Sequence, residues 1–296
     1  MEGLTTAPLT PVDGPAVARV WRACEIHDDG EALFTEDDFV ATCKRPSTDL
    51  RRDSVGVRDG GELVALALLH GERDAFAGVL PSHRGRGIGS WLLRWTQDAA
   101  RAAGRAQTCQ KLSDNAHDAR ALLEADGYER RYEDWVFDIE LQREPDAPLL
   151  PAGYAIREFV RARDDRAVHR VLEDAFGELP EVDRWSFEDW AAETLERPGF
   201  APEHVGTVVH GDGIVAASML IVEGDLLWVA QLAVEREHRR RGLARALLAH
   251  AFGVAWRAGL RHAGLSTDAR TGARGLYEHV GMRVKRTAWE YAKHLG

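Results

Sequence analysis

The pattern Arg-x-x-Gly-x-Gly/Ala occurs twice in this chain, as Arg84-Gly85-Arg86-Gly87-Ile88-Gly89 and as Arg239-Arg240-Arg241-Gly242-Leu243-Ala244. Each copy follows a short apolar run and opens an apolar helical pattern. Such a turn can hold phosphate. The first turn of a helix leaves backbone N–H groups unpaired and carries roughly half a positive charge, and a diphosphate can accept both. Glycine allows close backbone approach and positive φ without a Cβ penalty. Arg84 and Arg239 stand 155 positions apart, just over half of the 296 residues. The spacing points to a duplicated domain that binds a phosphorylated cofactor. Neither copy ends in the Gly-Lys-Ser/Thr of a P-loop, which argues against ATP.

The elements that must carry these turns can be read on both sides of them. In the first half a short extended segment precedes a helix near Ala16–Ile26. Ser54–Val57 and Glu62–His70 read as a hairpin around Asp59-Gly60-Gly61, a strong turn signal. Asp74–Leu80 is a strand ended by Pro81. The helix after Gly87 carries Trp91, Leu92, Trp95 and Ala99 at helical spacing,. Ala116–Ala125 is a second helix, and Trp135–Leu141 alternates like a closing strand. The second half repeats the order: strand Tyr154–Phe159, helix Asp165–Phe176, hairpin Gly206–His210 and Ile214–Val222, strand Leu226–Val234, helix Leu243–Ala258, helix Leu276–Val280 and closing strand Lys285–Tyr291. The repeat predicts two α/β domains of similar fold. Residues 1–144 form the first and 153–296 the second. Residues 145–152, within a stretch holding Pro145, Pro148 and Pro151, form the linker.

Composition narrows the class further. A formal net charge of −10 speaks against nucleic acid, whose partners present a basic face. Cys24, Cys43 and Cys109 are far apart and form no CxxC pair, so neither a disulfide framework nor a metal site is expected. The N-terminus has no signal-like segment. No apolar stretch approaches the ~20 residues of a membrane span. A cytoplasmic setting without a membrane partner is the expectation, as a monomer or homodimer.

With Leu232-Ala233-Val234 before the second turn and Val79-Leu80-Pro81 before the first, the chain resembles the GNAT superfamily of acyl-CoA-dependent N-acetyltransferases. The resemblance covers nearly the whole chain as tandem domains, a layout similar to that of mycothiol synthases. It implies that each domain is a mixed, mostly antiparallel sheet flanked by helices. It also implies acetyl-CoA as co-substrate, a primary amine of a small molecule as acceptor, and no metal. The cofactor would lie on Leu232, Ala233, Val234, Arg239, Arg240, Arg241, Gly242, Leu243 and Ala244, and in the first domain on Val79, Arg84, Gly85, Arg86, Gly87, Ile88 and Gly89. The alternatives are a non-catalytic acyl-CoA-binding sensor or scaffold and a protein amine acetyltransferase.

The two halves differ where the chemistry would finish. In this superfamily a tyrosine before a glycine often protonates the leaving thiolate. The second half reads Leu276-Tyr277-Glu278-His279-Val280-Gly281, and the first reads Leu122-Leu123-Glu124-Ala125-Asp126-Gly127. Tyr277 is therefore the expected general acid. Leu123 at the matching position has no proton to give, so the first domain is expected to be catalytically degenerate. The family's strand carboxylate is absent from Leu226–Val234, where Trp228 stands instead, and the loop Ser266–Arg270 is short. Glu223, Asp225 and Glu235 flank that strand and are the candidate bases. Trp185 and Trp190, in an aromatic and acidic stretch, join Trp228 as candidate acceptor contacts, because aromatic faces and carboxylates suit an ammonium.

Overall fold

The computed structural model describes residues 3–296. The first half of the chain gives β1 (Leu4–Ala7), α1 (Gly14–Asp29), α2 (Glu36–Lys44), α3 (Leu50–Asp53), β2 (Ser54–Asp59), β3 (Glu62–His70), β4 (Asp74–Val79), α4 (Ile88–Ala102), β5 (Gln107–Ser113), α5 (His117–Ala125) and β6 (Glu129–Glu140). The second half gives β7 (Tyr154–Arg157), α6 (Asp165–Phe176), α7 (Phe187–Glu193), β8 (Val205–His210), β9 (Gly213–Glu223), β10 (Leu226–Val234), α8 (Leu243–Arg257), β11 (His262–Asp268), α9 (Arg274–His279) and β12 (Arg283–His294).

Local chemistry explains many of these boundaries. α1 takes Pro15 in its first turn, where a missing N–H costs nothing, and stops at Gly30 with φ 81°. The β2–β3 hairpin closes through Gly60 and Gly61, both at positive φ, the geometry that matches the twist of a two-residue turn. α4 buries Ile88, Leu92, Leu93, Thr96 and Ala100 along one side, as the helical period requires. α8 buries eight residues, among them Leu243, Leu247, Ala251 and Ala255, and so is covered on more than one face. Among the described residues no helix is long and apolar enough to cross a membrane.

The chain divides into two compact units, and their boundaries depart from the expected split at 145–152. The first unit comprises the chain up to Glu133, the short segment Ala191–Pro198 and the tail Arg286–Gly296; the second comprises Asp134–Trp190 and Gly199–Lys285. In the first unit the strand order is β1-β2-β3-β4-β5-β12. In the second it is β7-β8-β9-β10-β11-β6. Each sheet is antiparallel except for one parallel pair, β4 with β5 and β10 with β11. The closing strand of each half thus completes the sheet of the other unit. Asp134–Glu140 pairs in register with His262–Asp268, and Ala288–His294 pairs with Gln107–Ser113.

Side chains fix the exchange in each unit. Trp135 and Phe137 enter the core formed by Leu227, Leu248, Leu265, Tyr277 and Met282. Full burial of Phe137 alone contributes roughly 2–3 kcal/mol. In the first unit Glu290 is held by Arg73 Nη2 at 2.8 Å with both side chains 9% exposed, and Tyr291 packs with Leu93, Leu123 and Tyr128. Ala191–Pro198 is tied to the same unit: Arg197 pairs with Asp38 at 3.0 Å, and Lys44 Nζ donates to the Glu196 carbonyl at 2.7 Å.

Candidate active site

The second glycine turn is shaped by two left-handed residues, Arg240 at φ 60° and Gly242 at φ 82°. The first turn has glycine at both matching places, Gly85 at φ 76° and Gly87 at φ 78°. Alternating left-handed residues point successive N–H groups into one concavity, a nest suited to an anion. Arg240 holds this shape at a cost of about 1–3 kcal/mol that glycine avoids. Gly242 is the N-cap of α8, and no side chain caps the helix. A Cβ built on Gly242 meets nothing within 4 Å, so the space beside the N–H groups is open.

The first arginine of each motif anchors its turn. Arg239 Nε donates to the Val234 carbonyl at 2.9 Å, and its two terminal nitrogens each donate to the Glu178 carboxylate at 2.9 Å. Arg84 repeats the arrangement on Asp28, at 2.8 and 2.9 Å. The arginine hydrogen bonds hold Glu178 below the usual carboxylate range. The remaining arginines separate the turns. Arg86 pairs with Asp59 at 2.9 Å. Arg240 and Arg241 make no ion pair among the described residues, so the second turn keeps more positive charge for a ligand.

A groove of 540 Å³ runs from this turn along β10. β10 and β11 pair only through Leu226–Trp228 and His262–Gly264. Beyond that point the β10 register against β9 shifts between Val229 and Gln231. A bulge of this kind bends a strand and increases its twist, and the groove lies beside the residues past it. Leu232, Ala233, Val234, Arg239, Arg240, Gly242, Leu243, Ala244 and Tyr277 all line it.

Tyr277 sits on α9 with its ring 5.4 Å from that of Phe137. Burial pushes its hydroxyl above the usual phenol range, and the Thr267 hydroxyl pulls it partway back. The group therefore keeps its proton at neutral pH. Leu123 is 3% exposed and packs among Leu93, Tyr128 and Tyr291.

Other expected site residues lie elsewhere. Arg241, Glu223, Asp225, Glu235, Trp185, Trp190 and Trp228 are not among the groove's lining residues. Glu235 pairs with Arg170 at 3.3 Å. Trp228 packs over Gly264. Trp190 is fully buried, and its Nε1 donates to Gln231 Oε1 at 2.9 Å. Gln231 does line the groove and was missed in the sequence, where its one signal was being the sole polar residue of Leu226–Val234. His238 also lines it, hydrogen-bonded through Nδ1 to the Tyr154 hydroxyl at 2.9 Å. The groove holds one carboxylate, Glu178, and Arg239 engages both its oxygens. No cluster among the described residues is arranged to hold a metal ion.

A strand, a turn with left-handed residues and a helix recur in the two mixed sheets, the arrangement of an acyltransferase fold. Comparison with known proteins agrees. Residues 166–282 match the acetyltransferase (GNAT) family and residues 52–130 match an acetyltransferase (GNAT) domain. A mycothiol acetyltransferase of Thermobispora bispora is 32% identical over 240 residues, covering 76% of this chain and 78% of that protein. One from Kineococcus radiotolerans is 34% identical over 183 residues, and the match spans 60% of this chain but only 59% of the relative. The crystal structure of a GCN5-related N-acetyltransferase from Sphaerobacter thermophilus superposes with TM-score 0.78 at 30% identity, covering 100% of this chain and 96% of that one. A tandem GNAT protein from the clavulanic acid biosynthesis pathway, at 17% identity, TM-score 0.76 and 99% coverage of both chains, shares the fold. The chain belongs to the GNAT acetyltransferase family, as a tandem-domain N-acetyltransferase.

Proposed function

We propose that the second unit transfers an acetyl group from acetyl-CoA to the primary amine of a small molecule, and that the first unit is not catalytic. The observation that carries this reading is a single groove containing both the anion-binding turn and the protonated Tyr277. The N–H groups at Arg240–Ala244 would hold the diphosphate, and Arg240 would add charge. Bound acetyl-CoA supplies an activated acetyl group and a thiolate leaving group. Tyr277 holds a proton at its hydroxyl oxygen for that sulfur. Gln231, fixed by Trp190, presents an amide to the groove.

An ammonium has no lone pair, so the acceptor must lose a proton first. Glu178 is the groove's one carboxylate and is tied to Arg239. His238, whose Nδ1 meets the Tyr154 hydroxyl, is the groove's other proton acceptor besides water, and by either route the rate with saturating acetyl-CoA should rise with pH until the acceptor's own pKa is passed. The measurement is free-thiol release from acetyl-CoA with a panel of amines, beginning with the amine that mycothiol acetyltransferases acetylate and including aminoglycosides, polyamines and a lysine peptide. Release with a small amine and none with the peptide is expected. Acetyl-CoA binding without release for any amine would make the chain a sensor.

The two turns can be compared directly. Gly242→Ala forces a side chain into a left-handed residue at about 1–2 kcal/mol. It is expected to raise the KM for acetyl-CoA about ten-fold. Gly87→Ala should leave turnover near wild type. Equal losses from both would assign chemistry to the first unit as well.

A further inference from the structure

The first unit contains a cavity of 220 Å³ between α1, α2, β3 and β4, apart from the groove described above. Trp21, Phe34, Phe76 and His70 form its aromatic walls, and Glu193, from the segment Ala191–Pro198, reaches into it. The rings stand at angles rather than in stacks: Trp21 is 5.5 Å from Phe34 at 44° and 6.0 Å from Phe76 at 79°, and His70 is 5.6 Å from Phe76 at 71°. At about 30 Å³ per liquid water, the space equals about seven waters, enough for a ligand of on the order of ten non-hydrogen atoms.

We propose that this cavity binds a small organic ammonium ion, with its carbon skeleton against Trp21, Phe34 and Phe76 and an N–H on the Glu193 carboxylate. Aromatic faces attract cations through their quadrupoles, most strongly where water is excluded. The carboxylate is engaged through one oxygen only among the described residues. Thr42 Oγ1 at 3.1 Å, His70 Nε2 at 3.6 Å and Arg45 Nη1 at 3.9 Å all approach Glu193 Oε1, while Oε2 accepts no hydrogen bond. Arg45 instead brings Nη1 to 2.5 Å from His70 Nε2. Asp38, also on the cavity wall, is already engaged by Arg197 at 3.0 Å and by the Thr35 backbone N–H at 2.7 Å. The negative field of Glu193 also reaches Cys43, where burial together with this carboxylate pushes the thiol up to about 11.

The duplication supports the same assignment. Phe76 precedes the first turn at the position that Gln231 holds before the second, 155 residues on. Where the second unit presents a polar amide to its groove, the first presents an aromatic wall to a cavity. The inference goes beyond the acetyl-transfer reading and does not require it.

The test uses the full chain without acetyl-CoA, titrated calorimetrically with 2-phenylethylamine and with 2-phenylethanol, its neutral counterpart. The amine should bind at about millimolar or tighter, and at least ten-fold more tightly than the alcohol. Glu193→Gln should remove the difference by weakening the amine alone, and Trp21→Ala should weaken both probes. Tyr277→Phe should bind the amine like the wild type, so loss of acetyl transfer and loss of this site are read separately. Equal affinity for amine and alcohol in the wild-type chain, an amine preference that survives Glu193→Gln, or no amine binding at about ten millimolar would each overturn the proposal. The first and third outcomes need no variant and hold whether or not Glu193→Gln folds.

Discussion

Tyr277→Phe should lower turnover about 10²–10⁴-fold, the range of a lost general acid, while acetyl-CoA affinity stays within about two-fold. The substitution keeps the ring that packs 5.4 Å from Phe137 and removes one oxygen. Thr267 Oγ1 retains its contact with Thr271 Oγ1 at 2.8 Å, so the stability cost should stay below about 1 kcal/mol. The turn that would hold the diphosphate is untouched, which is why binding should survive. The pH dependence carries a second signature. Burial raises the Tyr277 pKa, and an acid with a raised pKa keeps its proton up to that higher value. The wild-type enzyme should therefore hold the tyrosine's contribution through neutral and mildly alkaline pH and lose it only above about pH 10. The phenylalanine variant should show no such alkaline loss. Single-turnover rates and equilibrium acetyl-CoA binding check the two halves of the expectation. A variant that keeps turnover within two-fold would move the acid role to another group.

The second large effect concerns where the chain can be cut. A fragment spanning residues 134–285 should fold and bind acetyl-CoA, whereas 153–296 should not fold cooperatively. The shorter fragment lacks Asp134–Glu140, which pairs along the whole of β11. It also lacks Trp135 and Phe137, whose burial contributes roughly 3–6 kcal/mol together. Against a typical net stability of about 5–15 kcal/mol, that loss is large. It leaves the β11 edge open as well, a template for aggregation. The fragment 134–285 retains both strands and the core around Tyr277, and gives up only the anchoring of Ala191–Pro198. Thermal unfolding followed by circular dichroism distinguishes the two. A cooperative transition of equal midpoint in 153–296 would show β12 taking the place of β6 within its own half.

These expectations mark how far the sequence reached. α6 and β10 have the boundaries that periodicity assigned to them, because each carries its apolar residues at an unbroken spacing. The glycine turns were equally legible, since glycine enters left-handed backbone without strain and helices announce themselves in their first turn. β5 (QTCQKLS) and β11 (HAGLSTD) received no assignment. Their central residues are buried by neighbouring strands and helices rather than by any alternation of their own. The exchange of β6 and β12 was invisible for a related reason: two apolar strands of similar pattern say nothing about which sheet each will join. Of the site, the turn and Tyr277 could be read from residue type and spacing. The register shift beside Ala230 and the Trp190–Gln231 hydrogen bond could not, because both arise from packing across distant segments. The carboxylates chosen for their nearness in sequence fell outside the groove: Glu223 and Asp225 sit at the β9–β10 turn, at the far end of β10 from the residues past its register shift, and Glu235 is turned to Arg170.

The crossed closing strands also set an order of events during synthesis. Domains ordinarily mature from the N-terminus as they leave the ribosome. Here the second unit has all of its segments once Lys285 has emerged, but the first still awaits Arg286–Gly296. Until then Arg73 lacks Glu290, and β5 presents an open edge. A nascent chain arrested before Arg286 would therefore carry a completed second unit behind an unfinished leading unit, exposed to proteases and chaperones at the end that was made first.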